Sequence, residues 1–342
     1  MNINNTKAAL IQAIAATRLQ RLLGFTGQGS ATNLLFHSFF GEQESLSHGR
    51  ERLKRMCDWL RTHYTPISAT EYLTCLKERQ FPRNALFVTV DDARRAVLDV
   101  IDIFRDFEIP LTIFAPIGWI DEASASDTGI TLPRLVTLIE HYRGSPQEFS
   151  LPGGETLAVG GADQGTAIDR LLLRADQEQA VVEHVWHQLH TTLRHQENGD
   201  EMCTWKELTD LVATGISLES HSVSHCRLGK QSAQRIQYEI CESHRVLKSR
   251  FERCDMFAYP YGTWDVHNDM TSAALRAAGY QCAFLVHAGF GLKNDPYVLP
   301  RIDIPDQQIS DGLFAALVQG GQIPLIFAKN ILTARKHSQR SE

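Results

Sequence analysis

The feature that most constrains the fold is a repeated alternation of short apolar runs with stretches of helical periodicity. Residues 85–90 and 111–115 are continuous runs of mostly apolar residues, which is typical of strands buried on both faces. Further strands are predicted at 33–36, 216–219, 256–259 and 282–286, and helices at 49–63, 71–77, 93–107, 232–250 and 269–278. Because such alternation implies parallel strands with right-handed crossovers, we expect an α/β fold, either a barrel or an open sheet.

The chain organisation follows from where this alternation holds. With 342 residues and 43% hydrophobic residues, the chain can build one large α/β barrel. We predict an N-terminal helical segment over residues 1–30, a barrel over 31–330 and a polar tail over 331–342. Residues 121–200 interrupt the alternation with glycine-rich turns and a polar helix near 174–195. We interpret 121–200 as an insertion on the rim of the barrel.

Composition excludes several classes of protein. The 34 basic and 40 acidic residues give a net charge of −6, without the basic field that attracts nucleic acids. Seven scattered cysteines with no C-x-x-C pair indicate reduced thiols. We see neither a clean secretory pattern nor an apolar run of about 18 residues. We therefore expect a cytoplasmic protein with no nucleic acid partner and no transmembrane segment, and the sequence predicts no particular protein partner.

Two adjacent carboxylates follow the strand predicted at 85–90. Asp91 and Asp92 should lie at the carboxyl edge of the sheet, where α/β folds build their sites. Two such groups a few ångströms apart require a cation or a shared proton. The alternative is that they cap the helix predicted from Ala93.

Two histidines follow another predicted strand with a spacing of four. His221 and His225, on a first helical turn or a tight loop, can point at one ion. With 14 histidines in the chain, a chance pair without metal is the alternative. One carboxylate and two imidazoles would form a facial triad that leaves positions open for water and substrate.

A third motif is the turn Phe257–Gly262, where proline and glycine end the strand predicted at 256–259. Such a turn can present a backbone N–H group to the cavity. Its alternative is a turn with aromatic packing and no chemical role.

These motifs, in this order, resemble the polysaccharide deacetylases of carbohydrate esterase family four. Thr89–Asp92 is similar to the family's T-F-D-D motif, Ser220–His225 to its histidine motif, and Phe257–Gly262 to its P-Y turn. The resemblance covers roughly residues 33–305. It implies a distorted (β/α) barrel with a metal site at its top.

The resemblance also implies roles for individual residues. Asp92, His221 and His225 would bind a divalent metal ion, with zinc as the expected ion. Asp91 would be the base that takes a proton from water, and the backbone N–H of Tyr261 would stabilise the oxyanion.

Resemblance to a circularly permuted branch of exopolysaccharide deacetylases implies roles for two further residues. The strand Leu34–Phe36 and the histidine after it are similar to an L-M-Y-H strand of that branch. His37 is thus the candidate general acid, and His287 is the next candidate. The alternative is that His37 is a histidine packed at a strand end. Arg301, in a segment that resembles L-P-R-I, would orient Asp91, or else form an ordinary salt bridge.

The chain departs from the family pattern at two places. Ala93 stands where the family has glycine after its two aspartates, which should restrict the turn. The arginine that usually precedes the P-Y turn is absent, with Met256 and Phe257 near its place.

The expected function is hydrolysis of N-acetyl groups from an N-acetylhexosamine in a polysaccharide or its precursor. An acetylated carbohydrate would therefore be the substrate. One alternative is an O-acetyl esterase or an amidase on a small molecule. Another is a catalytically silent glycan-binding protein.

Overall fold

We analysed a computed structural model of the protein. It describes residues 3–17, 30–41, 44–120, 131–151, 153–160, 164–175, 179–194, 202–286 and 295–325. The predicted tail at 331–342, residues 18–29 of the predicted N-terminal segment, and His287 lie outside the described residues.

The described residues form a main sheet of nine strands and a separate hairpin. The main sheet contains β1 (Thr32–Phe36), β2 (Thr65–Pro66), β3 (Ala85–Asp91), β4 (Leu111–Ala115), β7 (Ser217–Ser220), β8 (Met256–Ala258), β9 (Cys282–Leu285), β10 (Leu299–Pro300) and β11 (Ile302–Asp303), and the hairpin contains β5 (Gln147–Ser150) and β6 (Thr156–Val159). The strand order is β10-β9-β8-β7-β4-β3-β1-β11, and every pair in the main sheet is parallel.

The sheet closes on itself through one short segment of chain. β10 pairs with β9, while β11, only one residue later, pairs with β1. Arg301 is the residue between them, and its N–H donates to the carbonyl of Leu285 at 3.0 Å. A nearly closed barrel results, as predicted.

Helices surround the barrel. They are α1 (Asn5–Thr17), α2 (Leu46–His63), α3 (Ala69–Glu78), α4 (Ile101–Asp106), α5 (Leu132–Glu140), α6 (Gln164–Ala175), α7 (Gln179–Arg194), α8 (Trp205–Ala213), α9 (Ala233–Phe251), α10 (Asp269–Ala278) and α11 (Asp311–Val318). None of the helices in the described ranges is long and apolar enough to cross a membrane.

One predicted helix is wrong at its start. The sequence predicts a helix over 93–107, whereas a 3-10 helix (Arg95–Asp99) precedes α4. The reason is that Asp92 (φ 71°) and Ala93 (φ 56°) are left-handed, so no helix can continue through them. Ala93 stands where glycine would adopt this conformation without strain.

The alternation of side chains along β3 explains how a carboxylate reaches the top of the barrel. Ala85 and Phe87 belong to an apolar cluster with Phe114, Phe284 and other residues. Alternate side chains of a strand point the same way, so the next two positions on that face are Thr89 and Asp91. Both are buried, and Asp91 is the last residue of the strand.

A second apolar core lies between residues 131 and 194. α5, the hairpin, α6 and α7 pack around buried residues that include Val136, Phe149, Leu171 and Val185. The helix predicted near 174–195 is present as α7, which spans Gln179–Arg194, and α6 ends before it at Ala175. Within the hairpin, the glycine turn predicted at 153–154 is present, with φ values of 104° and 90°. The role of the insertion in substrate binding stays a prediction.

Candidate active site

The carboxyl ends of β3 and β7 bring one carboxylate and two imidazoles together. The chain after β7 forms a tight loop, residues 221–227, which we call the histidine loop. Its Ser222 and His225 are left-handed, with φ values of 69° and 56°. The Nε2 atoms of His221 and His225 lie 3.6 Å and 3.4 Å from Oδ1 of Asp92.

This donor set fits a divalent cation. Oδ1 of Asp92 is buried and has no hydrogen-bond partner among the described residues, and one ligand atom from each of the three side chains lies within 4.8 Å of the others. Carboxylate oxygen and imidazole nitrogen are ligands that zinc and similar ions accept. The side chains predicted to bind metal, Asp92, His221 and His225, are thus brought together.

The second nitrogen of His221 supports the same interpretation. Nδ1 lies 2.8 Å from the carbonyl oxygen of Ala258, so it must carry the proton and leave the Nε2 lone pair facing Asp92. Burial lowers the pKa of His221 to about 4 and outweighs the nearby carboxylates. The ring is therefore neutral at neutral pH, as a metal ligand must be.

Asp91 has a different set of contacts. Its two carboxylate oxygens accept hydrogen bonds from the guanidinium of Arg301, both at 2.7 Å, and the two side chains are almost fully buried. Burial alone would raise the pKa of Asp91, but Arg301 and His221 outweigh it and lower that pKa. Arg301 thus contacts Asp91 directly, and its role in orienting Asp91 stays a prediction. Neither aspartate caps a helix at Ala93, since no helix begins there.

His37 follows β1 and lies on the same edge of the barrel. Its Nδ1 is 3.6 Å from Oδ1 of Asp303, and 31% of its side chain is exposed. Burial acts to lower the pKa of His37, but the contact with Asp303 and the charges of Asp91 and Asp92 raise it to about 9. His37 is thus partly accessible and paired with Asp303 at the end of β1, and its role as the general acid stays a prediction.

The turn after β8 places Tyr261 beside the histidine loop. Tyr261 has a φ of 64° and a ring 4.9 Å from that of His225. Across the described residues, no hydrogen-bond acceptor faces its backbone N–H. The next residue must be glycine, because a Cβ at Gly262 would collide with Val286. The turn therefore packs an aromatic ring against His225 and also presents a backbone N–H group that no described residue accepts from.

Three residues at this site were not singled out from the sequence. The ring of Trp119 lies 5.5 Å from that of His225, His141 places Nε2 2.8 Å from the carbonyl of Ser224, and Arg94 is 3.3 Å from Oδ2 of Asp92. Trp119 lies four residues after the end of β4. Because residues that follow parallel strands lie at the site edge of the sheet, its position in the sequence could have identified it. No comparable signal marks His141, which follows the last residue of α5.

Comparisons with known proteins agree with this geometry. The profile of the polysaccharide deacetylase family matches residues 78–283, more than half of the chain. The Bacillus subtilis (strain 168) protein YxkH, whose name places it provisionally among polysaccharide deacetylases, is 25% identical over 118 residues. That match covers 34% of this chain and only 41% of YxkH.

Solved structures share the fold at low sequence identity. The Streptococcus pyogenes deacetylase PplD, solved with acetate, has a TM-score of 0.53 and 14% identity, covering 84% of this chain and 97% of PplD. IcaB from Ammonifex degensii has a TM-score of 0.51 and 15% identity, covering 85% of this chain and 97% of IcaB. With a nearly closed barrel and a family match over more than half of its length, the chain belongs to the polysaccharide deacetylase family.

Proposed function

We propose that the protein is a metal-dependent deacetylase that hydrolyses N-acetyl groups on an N-acetylhexosamine of a polysaccharide or its precursor. The observation that carries this proposal is Oδ1 of Asp92, which lies near the Nε2 atoms of His221 and His225 and has no hydrogen-bond partner in the part of the chain that the structure describes. Family membership supports the carbohydrate substrate class. Zinc is the ion that we propose for the site.

Asp92, His221 and His225 would hold the ion. A bound divalent cation would supply a lowered pKa for water and polarisation of the acetyl carbonyl. Such a site needs open coordination positions, and three protein ligands leave them.

Asp91 would act as the general base. Its carboxylate is held in one orientation by two hydrogen bonds from Arg301, and the lowered pKa of Asp91 keeps it ionised. An ionised carboxylate beside the metal ligands can accept a proton from the attacking water. Arg301 therefore positions the base rather than contacting the substrate.

His37 and the N–H of Tyr261 would complete the reaction. An amine leaves poorly as an anion, so a protonated group must deliver a proton to the departing nitrogen. We propose that His37, paired with Asp303, delivers it. The N–H of Tyr261 would donate a hydrogen bond to the oxyanion as negative charge develops on the acetyl oxygen.

The test is acetate release from a panel of N-acetylated and O-acetylated oligosaccharides. We expect release from N-acetylated substrates, loss of activity with a chelator and recovery on adding zinc. Release from O-acetylated substrates alone would favour the esterase alternative. Binding of glycans without release of acetate from any of them would favour the silent glycan-binding alternative.

A further inference from the structure

A buried carboxylate on α9 contacts the histidine loop from behind. Glu239 is fully buried. Its Oε2 accepts hydrogen bonds from the backbone N–H groups of Val223 and Ser224, both at 2.8 Å. Its Oε1 accepts from the hydroxyl of Ser224 at 2.6 Å and from Nε of Arg235 at 2.8 Å. Four donors thus converge on one carboxylate.

The positions of these donors matter more than their number. Val223 and Ser224 lie between His221 and His225 in the chain, so Glu239 forms hydrogen bonds with the segment that separates the two candidate ligands. Ser222 and His225, on either side of that segment, have left-handed backbones. Such conformations are unfavourable for non-glycine residues and persist only where surrounding contacts enforce them.

Arg235 offsets the free-energy cost of burying the carboxylate of Glu239. It is fully buried, sits one helical turn before Glu239 and also donates to the hydroxyl of Ser224 at 2.8 Å. Glu140, at the end of α5, lies 3.5 Å from the same guanidinium. A buried charge requires a partner and satisfied hydrogen bonds, and Arg235 supplies both.

We propose that Glu239, with Arg235 as its charge partner, is a positioning residue that holds His221 and His225 in the metal-binding conformation. This inference rests on the proposed function, in which those histidines and Asp92 bind the ion. Glu239 does not contact the ion or the substrate. It acts through the backbone of the loop and through the hydroxyl of Ser224.

The experiment compares Glu239→Gln with Glu242→Gln in the full chain. Glu242 lies on the same helix and pairs with Arg245 near the surface, so it is a matched control. Cobalt(II) is titrated into each apoprotein, the Kd is measured by competition with a chelator, and the visible spectrum reports the coordination geometry. We expect Glu239→Gln to bind cobalt about 10–100-fold more weakly, the usual effect of losing a residue that orients metal ligands. Its spectrum should also change, whereas Glu242→Gln should match the wild type.

Each outcome decides between the two proposals. If wild-type protein binds no cobalt, the metal site of the proposed function is wrong. If the wild type and Glu239→Gln bind cobalt with equal Kd and identical spectra, the site stands and the positioning role is overturned. A merely structural role would lower the free energy of unfolding of the apoprotein without altering the spectrum of the folded fraction.

A second variant covers the case in which Glu239→Gln does not fold. Ser224→Ala removes one hydroxyl from the network and keeps the Arg235–Glu239 pair. It should weaken cobalt binding by about tenfold, the low end of the usual effect of changing a residue that orients metal ligands. An unchanged Kd for this variant would overturn the proposal.

Discussion

The adjacent aspartates at the end of β3 differ in their hydrogen-bond partners, although Nε2 of His221 lies 3.6 Å from an oxygen of each. Asp91 lies on the interior face of the barrel, and both its oxygens are occupied by Arg301. Asp92 takes a left-handed backbone, which turns it toward the histidine loop. No residue within the described ranges donates a hydrogen bond to its Oδ1. One residue is therefore suited to hold a proton and the other to hold a cation.

This difference predicts separable effects of two similar substitutions. Asp91→Asn should retain metal, because it leaves the three ligand atoms in place. Its turnover should fall by about 10²–10⁴-fold, the usual contribution of a positioned base. Metal content by elemental analysis and acetate release on the same sample give both quantities.

Asp92→Asn is the matched control for that prediction, since it changes the neighbouring carboxylate in the same way. It should lose most of the metal together with the activity. Near-normal turnover by Asp91→Asn would mean that another group deprotonates the water.

The pairing of His37 with Asp303 predicts a shift in the pH dependence of turnover. The contact with Asp303 raises the pKa of His37, so its acid form persists to higher pH and is lost as the pH rises through that pKa. Asp303→Asn removes one of the negative charges that raise the pKa. The alkaline limb of the kcat profile should therefore move to lower pH, measured at saturating metal with an N-acetylated oligosaccharide.

Asp311→Asn serves as the control for charge alone, because Asp311 pairs with exposed Arg55. Its kcat profile should overlay that of the wild type. An alkaline limb that does not move in Asp303→Asn would remove His37 from the role of general acid.

At the scale of elements, strands were easier to predict than the connections that follow them. β3 and β4 are continuous apolar runs, and such runs are visible in one sequence because burial on both faces requires them. The break at Asp92 and Ala93 was missed, since left-handed backbone there depends on the neighbouring loops. The closing strands β10 and β11 are two residues each, too short for any periodicity.

The candidate site was predictable only where residues follow strands in recognisable motifs. Asp92, His221 and His225 carry that signal. Glu239 does not, because Arg235 and Glu239 have the i, i+4 spacing of an ordinary exposed ion pair on a helix. Only the packing of α9 behind the histidine loop shows that this pair is buried.

Gly118 lies where the segment after β4 meets α5 and the histidine loop. Its N–H donates to the carbonyl of Val223 in the histidine loop at 2.9 Å. A Cβ at this position would lie 2.6 Å from the carbonyl oxygen of Pro133 in α5 and 2.9 Å from that of Val223, and it would also collide with Thr137. No side chain fits here without moving α5 or the loop.

Gly118→Ala should therefore disturb stability and metal binding together. We expect a loss of about 1–3 kcal/mol in the free energy of unfolding, the usual cost of overpacking. Metal affinity should fall as well, because the histidine loop is one of the elements displaced. Urea unfolding of the apoprotein and a metal titration measure the two effects.

Gly165 in α6 provides the comparison. A Cβ there would meet nothing within 4 Å, so Gly165→Ala should be neutral or stabilise by up to about 1 kcal/mol, as alanine does in helices. If the two variants behave alike, the close approach at Gly118 does not constrain the loop.

At the scale of the whole molecule, the N-terminal and C-terminal parts of the described chain contact each other through a strand pair and through a helix pair. β1 pairs with β11 to close the barrel. α1 packs against α11, with Ile11 and Ala15 buried. The carbonyl of Ile11 also lies 2.5 Å from where a Cβ of Gly321 would be. The N-terminal helix therefore packs against the helix that follows β11, the strand that closes the barrel beside β1.

This arrangement predicts that a core substitution in α1 weakens the barrel rather than one helix alone. Ile11 is fully buried, so Ile11→Ala should lower the free energy of unfolding by about 2–5 kcal/mol. Leu10, its neighbour, is 48% exposed, and Leu10→Ala should change that energy by no more than about 0.5 kcal/mol. Urea unfolding is followed by far-UV circular dichroism and, in the cobalt-loaded protein, by the visible spectrum of the metal site. Both signals should shift to lower urea together in Ile11→Ala, because the strands that close the barrel also position the site. A metal-site transition that stays at the wild-type urea concentration would show that α1 is an independent appendage to the barrel.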